Sequence, residues 1–347
     1  MNKAITAIST IIIIGVCIEF IACQSNPASP VTTTATLNAP GVFILNQGSP
    51  SPTTLDYYDI TANSYHSNVI GPGASLATDG NDLQFGGGDT MYMVVENANS
   101  IYAVADNTGG IITTYTSSSF NSPYKMWLLN DSLAAVAEYN DNKVTTYNLR
   151  SQQAIRDVVV GDNPQAIVYT NGNLYVACPG ESGEKRLDVI NPFTGNDIYM
   201  NIGVNPVALT ALGDSVVLAL CGGAYTSPSG AALYFISAST GAVLTSISLT
   251  GNPTELSVDG NNCYILNGTN VLKVNVATRI AADTTIVNAS FQALYGMTVD
   301  TANHHIYLAD ALNYTQNGIF YEYDESGNML HSATCGVNPG TLAVRYK

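Results

Sequence analysis

A short turn recurs along this chain: Gly161-Asp162-Asn163-Pro164, Gly203-Val204-Asn205-Pro206, Gly251-Asn252-Pro253 and Gly336-Val337-Asn338-Pro339, with an earlier relative at Asn121-Ser122-Pro123. The prolines at 123, 164, 206 and 253 lie 41, 42 and 47 residues apart, and Pro339 follows after 86, close to two further periods. A member that has lost its proline stands at Leu294-Tyr295-Gly296, and counting back from Pro123 places another near Asp82. Gly and Asn accept positive φ at little cost, and Pro fixes φ while donating nothing to a strand ladder. Each turn therefore ends one run of pairing and starts another.

Between turns the chain reads as short strands. After Pro164 come an apolar run at 165–169, an Asn171-Gly172 turn, a second run at 174–178, a variable loop, a third run at 187–190, a turn at 191–195 and a fourth run ending at Ile202. Four strands in forty-odd residues, repeated along the chain, is the pattern of a β-propeller blade. Second strands fall at 42–46, 91–96, 133–138, 174–178, 216–221, 263–267 and 306–310; first strands at 82–85, 124–129, 165–169, 207–212, 254–258, 295–299 and 340–346. The phases differ, because the chain enters on a second strand and leaves on an unpartnered first strand. The expectation is an all-β, seven-bladed propeller with four-stranded blades. One blade is closed by three N-terminal strands (42–46, 55–60, 65–70) and the C-terminal strand, which removes open sheet edges.

Charge limits the partners. With 11 Lys and Arg against 26 Asp and Glu, the net charge of −15 excludes phosphate-backbone binding to nucleic acid and purely electrostatic contact with an anionic membrane. The first 23 residues read as a lipoprotein signal: Lys3, an apolar stretch at 4–18, and a lipobox-like Phe20-Ile21-Ala22-Cys23, with Cys23 the lipidated residue. Residues 24–40, rich in Ser, Thr, Pro and Ala, read as a tether, and 41–347 as the propeller. Contact with the membrane is then through the lipid anchor alone. Cys178 and Cys221 end consecutive second strands, which leaves either a disulfide between neighbouring loops or buried free thiols.

The motifs LYVACPG (174–180), IYLADAL (306–312) and MYMVVEN (91–97), with the Gly-x-Asn-Pro turns, resemble the YVTN-type, YncE-like seven-bladed propellers of bacterial surface proteins. VFILNQGSP (42–50) and the LDYYDI that follows resemble the lipid-anchored subgroup that includes a cobalamin-capturing partner of a TonB-dependent outer-membrane transporter. The resemblance implies a cell-envelope, outer-membrane lipoprotein whose ligand is a corrinoid and which hands it to such a transporter. No acidic run follows Cys23, so anchoring is better supported than surface display.

Strand order puts the Gly-x-Asn-Pro turns and the loops between second and third strands on one face, and those loops vary in length, as ligand-contacting loops do. That face is expected to present Asn46, Gln47, Glu96, Asn97, Glu138, Tyr139, Asn140, Tyr225, Asn267, Asp310, Asn313 and Tyr314, with Tyr124 and Tyr295 at the inner turns. Amides and tyrosines suit a polar, largely neutral, ring-bearing ligand. Glu96, Glu138 and Asp310 fall at similar repeat positions; an acid and base pair drawn from them carries the alternative reading of a lactonase- or lyase-like enzyme, and a protein-interaction scaffold is a third. The single tryptophan, Trp127, argues against quinone-cofactor docking motifs, and no Asp-box is present. The reading is a non-catalytic binding protein that needs no cofactor and no metal; His304-His305 reads as surface.

Overall fold

The computed structural model describes residues 37–71, 74–224 and 229–347, without the side chains of 281–284 and 288; the signal, most of the tether, Cys23 and Tyr225 lie outside them. The described strands form seven four-stranded antiparallel sheets. Numbered around the ring, the blades have as innermost strands Pro339–Arg345 (blade 1), Gly80–Phe85 (blade 2), Pro123–Asn130 (blade 3), Ala166–Thr170 (blade 4), Pro206–Leu212 (blade 5), Pro253–Asp259 (blade 6) and Leu294–Asp300 (blade 7). Each innermost strand lies against those of its two neighbours, and blade 7 meets blade 1. The propeller is closed.

Second strands such as Leu133–Glu138, Asn173–Cys178 and Val216–Cys221 are almost continuously buried, because blades pack against both faces. The core is accordingly a series of slabs between adjacent blades, for example Val217, Ala219 and Ile236 packed with Tyr175, Ala177 and Leu187. Outermost strands alternate with solvent, as in Gln153–Val159. Cys178, Cys221, Cys263 and Cys335 are all free thiols buried in these slabs.

Blade 1 joins the chain ends as the phase of the repeat requires. Gly41–Asn46 pairs antiparallel with Pro339–Arg345, setting Val42 opposite Val344 and Ile44 opposite Leu342, and Thr54–Asp59 and Ser64–His66 complete the sheet. Arg345, 4% exposed, fastens the junction. Its guanidinium donates to the carbonyls of Leu37, Ala39 and Asp106, lies 3.4 Å from the Asp106 carboxylate, and sits over the rings of Phe43 and Tyr57. Residues 37–40, read from sequence as the end of the tether, are thereby held against the propeller, with Leu37 buried.

The turns explain their own composition. Asn163, Asn205 and Asn338, each preceding the proline, have φ of 53°, 59° and 54°, and Ser122 and Asp79 take the equivalent place with φ of 57° and 65°. Asn tolerates this left-handed region better than other side chains. Past the turn the ladder slips. The first innermost residue pairs with the end of the second strand (Pro123 with Glu138, Pro206 with Cys221, Pro253 with Asn267), the next is skipped, and pairing resumes one residue on. Blades 1, 2 and 7 show the same bulge. In blade 4 Gln165 occupies that place, its N–H donating to the carbonyl of Ala177, which pairs with Ala166.

Candidate functional site

A β-bulge leaves one residue out of the ladder and re-aims its side chain. Repeated in six blades, with Gln165 in the equivalent place in blade 4, it brings seven residues to the axis. Asn81, Tyr124, Gln165, Val207, Thr254, Tyr295 and Gly340 all line one cavity of about 650 Å³ at the turn-bearing end of the central channel. The residues after them, including Asp82, Lys125, Ala208, Glu255 and Thr341, line it as well, and Gln47, Tyr314 and 222–224 reach it from the loops between second and third strands.

The lining is lopsided. Blades 7, 1, 2 and 3 contribute Tyr295, Tyr314, Gln47, Asn81, Asp82, Tyr124 and Lys125, whereas blades 4, 5 and 6 contribute the aliphatic Ile167, Val207, Ala208, Leu209, Pro253 and Leu256 beside the polar Gln165, Asn205, Asn252, Thr254 and Glu255. The tyrosines gather on one arc, and the other mixes aliphatic with polar side chains.

The polar arc is held by a directed hydrogen-bond chain. The Tyr295 hydroxyl donates to Gln47 Oε1 (2.9 Å), Gln47 Nε2 donates to Asn81 Oδ1 (3.0 Å), and Asn81 Nδ2 donates to Glu96 Oε2 (2.6 Å). An ionised carboxylate only accepts, so Glu96 at the end sets the orientation of both amides and of the hydroxyl. Tyr295 packs edge-on to Tyr314 with centroids 5.5 Å apart, and Tyr124 lies 5.4 Å from Tyr139. Burial raises the pKa of the Tyr124 and Tyr295 phenols, so both stay neutral.

Three charged side chains line the cavity among the described residues: Asp82, Lys125 and Glu255. Lys125 Nζ donates to the Asn81 carbonyl (2.8 Å) and lies 3.4 Å from Asp82 Oδ1, while Asp82 Oδ2 accepts the Met126 N–H (2.9 Å). Glu255 Oε2 accepts the Met297 N–H (2.9 Å). Both carboxylates thus follow their blade's bulge and tie to the innermost strand of the next blade. Burial pushes the Glu255 carboxyl up to about 7, against the opposing pull of Lys125 and the Met297 N–H.

Of the residues expected from sequence, the cavity gathers Gln47, Tyr124, Tyr295 and Tyr314. Glu96 and Tyr139 stand behind that wall as partners of Asn81 and Tyr124. The others fasten turns. Buried Asn46 donates to Thr54 Oγ1, Asn267 to the Thr250 carbonyl, Asn97 to Thr78 and Asp79, and Asn140 to Ser122 Oγ. Asn313 accepts the N–H groups of Thr315 and Gln316. Asp310 accepts those of Gln292, Ala293 and Leu312.

Glu138 is fully buried, accepts the Asn121 N–H (2.8 Å), and has its carboxyl pushed up to about 8 by that burial. Glu138 and Asp310 end their second strands in register, but the matching residue of blade 2 is Val95, so Glu96 lies one step beyond, in a 3-10 turn. The three carboxylates do not line the cavity together. His304 and His305 are engaged by Asp259 (2.5 Å) and Glu322 (2.7 Å), and among the described residues no group of three or more His, Cys, Asp or Glu side chains could hold a metal ion. Among the lining residues that sequence reasoning missed, Asn81, Asp82, Lys125, Gln165 and Glu255 follow directly on the turns. The turn motif itself was the signal that could have found them.

No protein-family model matches the chain, and no curated protein matches its sequence. Solved structures do. A chain of hydrazine synthase from Kuenenia stuttgartiensis superposes with a TM-score of 0.64 at 15% identity, covering 80% of this chain and 99% of that one. A quinonprotein alcohol dehydrogenase-like protein from Bacteroides thetaiotaomicron VPI-5482 gives 0.69 at 12% identity, covering 88% and 78%. At such identities the likeness speaks to the fold alone, and it agrees with the ring of sheets: the chain is an all-β, seven-bladed propeller.

Proposed function

We propose that this propeller is a ligand-binding protein that holds a compact small molecule in the mouth of its central channel. The observation that carries this reading is the bulge ring, which builds one cavity with a partly aliphatic arc facing a preorganised polar and aromatic one. A cavity of about 650 Å³ lies within the roughly 300–1,000 Å³ typical of small-molecule sites, which are largely apolar with a few placed polar groups. A ligand with one apolar flank and one hydrogen-bonding flank fits. The segment ending at Cys23 supports a lipid-anchored protein of the cell envelope. The resemblance to cobalamin-capturing propellers supports corrinoids as the first ligands to try, with a TonB-dependent transporter as recipient.

The test is thermal stabilisation of the full chain against corrinoids, oligosaccharides and small ring-bearing molecules. A true ligand at 100 times its Kd adds about 2.7 kcal/mol, and that gain is expected to shrink in Gln47→Ala and Tyr314→Ala variants. Stabilisation that survives both changes would move the site elsewhere.

A further inference from the structure

The cavity wall is electrostatically unbalanced. Asp82 and Lys125 form a pair at 3.4 Å, so they largely cancel. Lys125 also pulls on Glu255, so one cation serves two carboxylates and the described lining residues carry one negative charge in excess. One of its oxygens holds the Met297 N–H, and the other has no protein partner among them. The directed chain adds to this: the Tyr295 hydrogen is committed to Gln47, which leaves its oxygen only lone pairs to offer. Glu96, the terminus of that chain, places a further carboxylate behind the wall. Two of the three Lys125 N–H groups already have acceptors, on Asn81 and Asp82. Around these acceptors stand the rings of Tyr124, Tyr295 and Tyr314, and aromatic faces attract cations.

We propose that the ligand of this channel mouth is a protonated amine, its ammonium group held by Glu255 and the Tyr295 oxygen and its body lying among the tyrosines and the aliphatic arc. The proposal rests on the channel mouth being the binding site. It gives each uncommitted acceptor a donor, and it brings a second cation to a wall where Lys125 alone faces two carboxylates. An anionic ligand would instead meet Glu255 as a like charge.

The experiment is calorimetric titration of the full chain, at about pH 8, with three probes of one shape: 2-phenylethylamine, 2-phenylethanol and 3-phenylpropanoate. The amine is expected to bind about tenfold or more tighter than the alcohol, the scale of a charged hydrogen bond, and to weaken with salt. Glu255→Gln keeps an acceptor for Met297 and should erase the amine's advantage while leaving the alcohol unchanged. Lys125→Met should strengthen the amine. Tyr314→Leu, at an exposed position, should weaken it about threefold.

Equal or tighter binding of the alcohol or the carboxylate would overturn the proposal, as would an amine advantage that survives Glu255→Gln, or no binding of any probe. The site reading is judged separately. Blocking the mouth with Thr254→Trp should abolish whichever ligand does bind, amine or not.

Discussion

Glu138 shows how a single residue can imitate a catalytic group. It sits at a strand end on the loop face, in a place where an acid or base would draw attention, yet it is enclosed completely. One oxygen accepts the Asn121 N–H and the other has no hydrogen-bond partner. Its carboxyl is raised to about 8 in the folded protein, against about 4.3 for an unfolded Glu. Between those values the folded protein keeps a proton that the unfolded chain has released, so stability falls as pH rises through the window, and the loss is complete above the folded value. Glu138→Gln keeps the acceptor and adds an N–H₂ for the unpaired side. It should raise stability at pH 8 by about 1–3 kcal/mol and flatten the decline between pH 5 and 8, as read by denaturant unfolding at both. An unchanged pH profile would contradict this assignment. Asn338 gives the complementary case: φ is 54° and Nδ2 donates to the Gly48 carbonyl at 2.7 Å. Asn338→Ala should cost about 1–3 kcal/mol in the same measurement, and Asn338→Gly less, because Gly accepts that φ.

At the scale of elements, the closing blade depends on Arg345. Replacing it with Ala leaves the carbonyls of Leu37 and Asp106 without their donor, the Ala39 carbonyl with the Tyr57 hydroxyl alone, and the buried Asp106 carboxylate with Lys347, 3.4 Å away, as its remaining cation. Breaking a buried ion pair from one side costs about 3–5 kcal/mol. The loss should appear as a lower unfolding midpoint and as faster amide exchange in 37–46 and 339–345 before other blades open; uniform exchange across the ring would contradict it. The same scale shows what the sequence could reveal. Blades were legible because six of the seven turns carry a left-handed residue ahead of the inner strand, which selects Asn, Gly, Ser or Asp, and because doubly buried second strands need apolar runs such as VVLAL. Seven blades and their closure followed from the phase of that pattern. Channel lining was not legible in the same way, because alternation along a strand predicts facing only while the ladder is regular. The bulge shifts Asn81, Asp82 and Glu255 out of that register, and strand-end carboxylates such as Glu138 and Asp310 answer to the backbone of the turn that leads into their own blade.

For the whole molecule, a propeller fold is a scaffold compatible with many functions, and the solved structures it resembles show only how the blades close. Function has to be argued from the axis, where the innermost strands converge and their first residues line shared space. Thr254 is the most useful probe of that space, being an exposed bulge residue that lines the cavity on the aliphatic side. Its enlargement fills the mouth without entering a core slab. The decisive measurement is the Kd of the best stabilising ligand for wild type and for Thr254→Trp, with the melting temperature of each apo protein recorded alongside. Binding weakened by about a hundredfold, on the order of 2.7 kcal/mol, with an unchanged melting temperature would establish the channel mouth as the ligand site. Undiminished binding to the blocked protein would contradict it.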